Sequence, residues 1–122
     1  MANSDAKGLK RIINAFYYSL AGFKAVWQHE EAFRQETLLL IVTTPIVMLV
    51  DKSLVEKLLL LGSIVLVLLV ELLNSAVEAV VDRVGLERHE LSARAKDIGS
   101  AAVMLALIWA GITWATILYP FF

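Results

Sequence analysis

Four polar side chains recur at helical spacing inside an otherwise apolar stretch: Glu71, Asn74, Glu78 and Asp82. With Glu71 as zero and about 100° per residue, Asn74 falls at about −60°, Glu78 at about −20° and Asp82 at about +20°. Ser75, near +40°, extends the same face. Carboxylates flanked by Val70, Leu72 and Leu73 are expensive to place in lipid, and ionisable groups at such depth point to function. Two carboxylates at different depths can divide labour. Glu71 sits at or just inside the apolar boundary, where a partly desolvated carboxylate suits a general base. Glu78 stands two turns further on, about 10 Å along the axis, within reach of water. There it can hold Mg²⁺ together with nucleotide phosphates, because this ion usually takes one or two protein carboxylates and leaves the rest to water and phosphate. Glu30 and Glu31 offer a second carboxylate, and His89, Lys96 and Asp97 offer groups to hold a nucleotide.

The familiar phosphate-binding loops are missing: there is neither GxxxxGK[ST] nor GxGxxG. There is no HExxH, and His29 and His89 lack metal-ligand spacing. With no Cys, thiol chemistry and disulfides are excluded. A formal net charge of −1 supplies no argument for a nucleic-acid partner, and none is expected.

The elements that position these residues are helices in a membrane. In 122 residues, enough for one domain, 59% are hydrophobic and 19% charged. The apolar residues come in blocks, which marks a membrane protein rather than a soluble core. Leu9, Ile12, Ile13, Phe16, Leu20, Phe23 and Trp27 follow three- and four-residue steps, while Lys7, Lys10, Arg11, Asn14, Lys24 and Gln28 lie largely off that face. This pattern predicts an amphipathic surface helix over about 8–29. Three helices containing spans are expected at 32–50, 54–84 and 93–119. The first carries Arg34, Gln35 and Glu36 at its start and is expected to bend at Pro45. The second is longer than a bilayer core, so its last turns should emerge, with Gly85 as a plausible stop. The third has Ser92 as candidate N-cap, and Ala102, Ala106 and Ala110 recur on it for close helix packing. No short apolar run followed by a cleavage site opens the chain, so no cleaved signal peptide is expected. Lys and Arg concentrate before the first span and between the second and third, which places the N-terminus in the cytoplasm and the C-terminus outside.

The run Glu71-Leu72-Leu73-Asn74-Ser75-Ala76-Val77-Glu78-Ala79-Val80-Val81-Asp82 resembles the signature of the prokaryotic diacylglycerol kinases. Two more blocks agree: Glu30 with Ala32-Phe33-Arg34-Gln35-Glu36, and His89-Glu90-Leu91-Ser92 leading through Arg94-Ala95-Lys96-Asp97 to Gly99-Ser100-Ala101-Ala102-Val103. The resemblance covers about 8–119. It implies a homotrimer of three-span subunits in the bacterial inner membrane, with composite active sites shared between neighbours. It implies transfer of the γ-phosphate of Mg-ATP to the hydroxyl of diacylglycerol, giving phosphatidate. Carried over residue by residue, Glu71 is the proton acceptor, and Glu30 and Glu78 hold Mg²⁺ with the ATP phosphates. Arg11, Tyr18, Glu87, Arg88, His89, Lys96 and Asp97 fall at nucleotide-contacting positions. Arg11, Ser19, Lys24, Trp27, Ala32, Phe33, Arg34, Gln35, Glu36, Glu71 and Ser100 fall at lipid-contacting positions. Asn74 and Asp82 orient and support.

Phe16 and Tyr17 are bulkier than the family pattern, Leu49 replaces a familiar Trp, and Pro45 is unusual. The alternative within the family is an undecaprenol kinase, which shares the Glu/Asn/Glu signature. The blocks at 89–94 and Gly99-Ser100 look more like the diacylglycerol branch. A proton-coupled transporter would need a polar path through 58–70, which offers only Gly62 and Ser63. A purely structural subunit would leave the polar stripe unexplained.

Overall fold

The computed structural model describes residues 7–85, 87 and 89–119. They form helices α1 (Gly8–His29), α2 (Glu31–Leu49), α3 (Leu54–Val84) and α4 (Glu90–Leu118), with no strand among the described residues. The chain divides into two compact units, Met1–Glu31 and Ala32–Phe122.

The first unit is built on α1, none of whose residues is buried. Inside the helix, Ser19 donates to the Ala15 carbonyl at 2.9 Å and His29 Nδ1 to the Ala25 carbonyl at 2.8 Å. Extended backbone at Glu30 stops the helix, and its N–H closes the last turn on Val26 O at 2.8 Å.

The second unit contains three helices long and apolar enough to cross a membrane, of 19, 31 and 29 residues with mean hydropathy 1.3, 2.3 and 2.0. At 1.5 Å per residue, α2 is about 28 Å long, close to the hydrocarbon thickness, whereas α3 reaches about 46 Å and must protrude. α2 continues through Pro45 as one helix. The hydroxyls of Thr37, Thr43 and Thr44 donate to carbonyls one turn back, at 2.7, 2.7 and 2.6 Å, so these polar groups are satisfied without leaving the helix.

α3 opens with a capping box: Ser53 Oγ accepts from Glu56 N at 3.1 Å, and Glu56 Oε1 accepts from Ser53 N at 3.0 Å. Lys57 Nζ donates to the Met48 carbonyl at 2.9 Å and ties the end of α2 to this turn. Gly85 ends α3 as expected, in extended backbone that needs no glycine. α4 starts earlier than Ser92 suggested: His89 is the cap, its Nδ1 accepting from Leu91 N at 3.0 Å. An imidazole acceptor does the work of the hydroxyl expected three residues later.

The principal packing within this unit is α3 against α4. Leu60, Ser63, Ile64, Val67 and Ala106 are buried, and α2 contributes Phe33 and Val47. Trp114 Nε1 donates to Leu60 O at 3.0 Å and Ser63 Oγ at 3.1 Å, while Ser63 itself donates to Leu60 O at 2.7 Å. In lipid such interhelical bonds locate one helix on the other. Of the small residues expected to pack, Ala106 is buried and Ala110 half-buried, but Ala102 is exposed. The packed row instead follows Gly99, Val103, Ala106 and Ala110, because a straight helix returns to one face at alternating three- and four-residue steps.

Candidate active site

The α3 stripe grades from dry to wet. Glu71 is 5% exposed, Asn74, Ser75 and Glu78 are half-buried, and Asp82 is exposed. The helix creates this gradient by carrying one face out of the packed region.

At the dry end the Glu71 carboxyl meets that of Glu36, from the second turn of α2. One Glu36 oxygen is buried without a hydrogen-bond partner. Two carboxyls in contact repel when both are charged and can relieve that repulsion by sharing one proton. Glu36 closes the α2 block expected to contact lipid, in which Phe33 is buried, Ala32 and Arg34 are half-buried and Gln35 is exposed.

One turn along, Asn74 Nδ2 donates to Glu78 Oε1 at 3.0 Å. The carboxamide fixes the rotamer of Glu78 and occupies one oxygen. Among the described residues no group of three or more His, Asp or Glu gathers to hold a metal. A lone, oriented carboxylate does suit Mg²⁺ arriving with a polyphosphate, which brings most of its own ligands.

At the wet end, Lys96 of α4 meets Asp82 of α3, Nζ to Oδ1 at 2.8 Å. They line an open cleft of about 500 Å³, together with Val81, Gly85, Glu87, His89, Ser92, Ala93 and Asp97. Glu87, His89, Lys96 and Asp97, four of the positions expected to contact nucleotide, thus line one cleft between the end of α3 and the start of α4. With Nδ1 committed to the cap, His89 presents Nε2 as its free ring nitrogen. Lys96 also feels the Glu78 charge, which links cleft and stripe.

Arg88 falls outside the described residues. Ser100 is exposed on α4. Arg11, Tyr18, Ser19, Lys24, Trp27 and Glu30 belong to the first unit, all exposed except half-buried Glu30. Sequence reasoning missed the direct contact of Glu36 with Glu71, although it had placed both among lipid-contacting positions. It also missed the cap formed by His89 and the Ser53–Glu56 box, for which the S-x-x-E spacing was the available signal.

Residues 17–118 match the family described as prokaryotic diacylglycerol kinase. The diacylglycerol kinase of Escherichia coli strain K12 is 50% identical over 122 residues, covering 100% of this chain and 99% of that protein. The diacylglycerol kinase of Pseudomonas aeruginosa is 58% identical over 111 residues, 91% of this chain and 90% of that protein. That of Helicobacter pylori strain 26695 is 39% identical over 109 residues, 89% and 85% respectively.

Proposed function

This chain belongs to the prokaryotic diacylglycerol kinase family, and on that premise we propose that it transfers the γ-phosphate of Mg-ATP to diacylglycerol. The product is phosphatidate, made at the cytoplasmic face of the bacterial inner membrane. The observation that carries the reading is the ordered path along α3, from the buried Glu71–Glu36 contact through Asn74–Glu78 to the open cleft at Asp82 and Lys96. A lipid that keeps its tails in the bilayer presents its hydroxyl at the dry end. A nucleotide arriving from water reaches the wet end. Neither substrate has to cross.

In the proposed reaction Glu71 accepts the hydroxyl proton as the lipid oxygen bonds to the γ-phosphorus. The bond from that phosphorus to the β,γ-bridging oxygen breaks, and ADP leaves. Glu78 and Glu30 would hold Mg²⁺, which when bound would neutralise charge on the phosphates. Asn74 keeps Glu78 oriented, and Asp82 holds Lys96 at the cleft. Arg11, Tyr18, Glu87, Arg88, His89, Lys96 and Asp97 bind the nucleotide. Ser19, Lys24, Trp27, the 32–36 block and Ser100, with Arg11, bind the lipid. Most of the acceleration comes from positioning and charge neutralisation, with a positioned base adding about 10²–10⁴-fold.

In this reading α1 lies on the membrane surface through its exposed Leu9, Ile12, Phe16 and Phe23. The exposed apolar residues of α2, such as Leu38, Ile41, Val42 and Ile46, face lipid and neighbouring subunits of a homotrimer with shared sites. The N-terminus is cytoplasmic and the C-terminus outside.

The test is ³²P transfer from Mg-ATP to diacylglycerol by purified protein, with undecaprenol as competing acceptor. Glu71→Gln should lose turnover while still binding Mg-ATP. Glu78→Gln and Glu30→Gln should lose metal–nucleotide binding as well, and chelation of Mg²⁺ should abolish transfer. Normal transfer by Glu71→Gln would sink the base assignment, and preferred transfer to undecaprenol would reassign the substrate.

A further inference from the structure

Asn74 Nδ2 donates to Glu78 Oε1, and its Oδ1 is buried without a hydrogen-bond partner. The orientation of the carboxamide is set by chemistry. A carboxylate oxygen can only accept, so Nδ2 must face Glu78 and Oδ1 must face away. What Oδ1 faces is the backbone of α4 at Gly99. A Cβ built on Gly99 would overlap Asn74 Oδ1 outright and stand 3.1 Å from its Cγ. The hydrogen that replaces that Cβ therefore points at Oδ1, a Cα–H···O contact of the kind that recurs where helices pack closely. It gives the orphaned oxygen a weak partner. Gly99 has no need of glycine's backbone freedom, since it lies inside a regular helix where alanine is ordinarily preferred.

We propose that Gly99 is a positioning residue: its missing side chain is the seat that holds the Asn74 carboxamide against α4 and so aims Glu78. Any side chain at 99 forces Asn74 to rotate, and rotation releases Glu78 Oε1. The clash itself involves α3 and α4 alone. Its consequence for Mg²⁺ rests on the role of Glu78 proposed above.

The experiment is a double-mutant cycle with Gly99→Ala and Asn74→Ala, read by unfolding midpoint in detergent and by the Mg²⁺ dependence of lipid phosphorylation. Truncation at 74 leaves only its Cβ, 3.9 Å from the Cβ that alanine would place at 99, an ordinary contact. With Asn74 present, Gly99→Ala should lower the midpoint and raise half-saturating Mg²⁺ roughly ten- to a hundredfold, with kcat largely recovered at saturation. With Ala at 74, the same substitution should leave the midpoint unchanged or raised and shift half-saturating Mg²⁺ less than about twofold. Should Gly99→Ala fail to fold, the double variant should fold as Asn74→Ala does. Equal losses in both backgrounds, or a double variant that also fails, overturn the seat. Coupling in the midpoint with an unchanged Mg²⁺ requirement overturns the positioning role. If the wild type transfers no phosphate, the proposed function fails, while the midpoint cycle still decides the seat.

Discussion

Glu71→Gln should make this protein more stable and almost inactive. The Glu71 carboxyl is 5% exposed and lies against that of Glu36, which carries a buried oxygen without a hydrogen-bond partner. Two full negative charges about 4 Å apart repel by about 4 kcal/mol at an effective dielectric of 20, which is a ceiling. Sharing one proton removes most of that repulsion, so only part can be recovered. Gln keeps the volume, removes the ionisation, and adds an amide N–H that can donate to Glu36. A hydrogen bond to a charged group is worth about 1.5–3 kcal/mol in soluble proteins, and interhelical bonds in membranes average about 0.6 kcal/mol. The expected gain is therefore about 1 kcal/mol. Loss of the base should cost about 10²–10⁴-fold in kcat, or about 2.7–5.4 kcal/mol of barrier. Both are measured on one preparation, as unfolding in detergent and as initial rates in mixed micelles at saturating Mg-ATP. Glu36→Gln, run beside it, should share the stability gain and lose less turnover. A Glu71→Gln protein that is more than about 1 kcal/mol less stable would show that the carboxylate anchors the helices, and the reasoning would fail.

Trp114→Phe removes two hydrogen bonds, but Ser63 still donates to Leu60 O, so the cost should be about 0.5–1.5 kcal/mol in unfolding. Turnover below the midpoint should not change, because Ser63 is about 22 Å along α3 from Glu78. His89→Asn should keep the α4 cap, since Asn is a good N-cap, yet raise the apparent KM for Mg-ATP; His89→Leu should also lose about 1 kcal/mol of stability. An unaltered KM in both variants would remove His89 from the nucleotide site. Ser53→Ala should cost about 1 kcal/mol by opening the capping box, with transfer rates intact.

Much of the architecture was legible in the residues. Apolar blocks separated by Asp51-Lys52-Ser53 and by Gly85 mark α2, α3 and α4, because lipid demands long helices that satisfy their own backbone. The stripe from Glu71 to Asp82 was legible too, since a regular helix turns spacing into a face without reference to anything else. The depth gradient along that stripe followed from where the apolar run ends.

Contacts between helices were not legible. That Glu36 meets Glu71, that Lys96 meets Asp82, and that Trp114 reaches Ser63 depend on rotation and register, which periodicity leaves open. The cap of α4 is His89 rather than Ser92, because its imidazole nitrogen accepts from Leu91 N three residues earlier than the hydroxyl could. Gly99 is the clearest case. In sequence it belongs to a family-matching block on α4, but nothing there says what its missing side chain makes room for. Only the approach of α3 places the Asn74 carboxamide where a Cβ would stand, whereas Gly111 has open space around it. The type and periodicity of a polar stripe are properties of one helix and can be read from one helix. The aim of its side chains is a property of two surfaces in contact, and close packing settles it only when both are present.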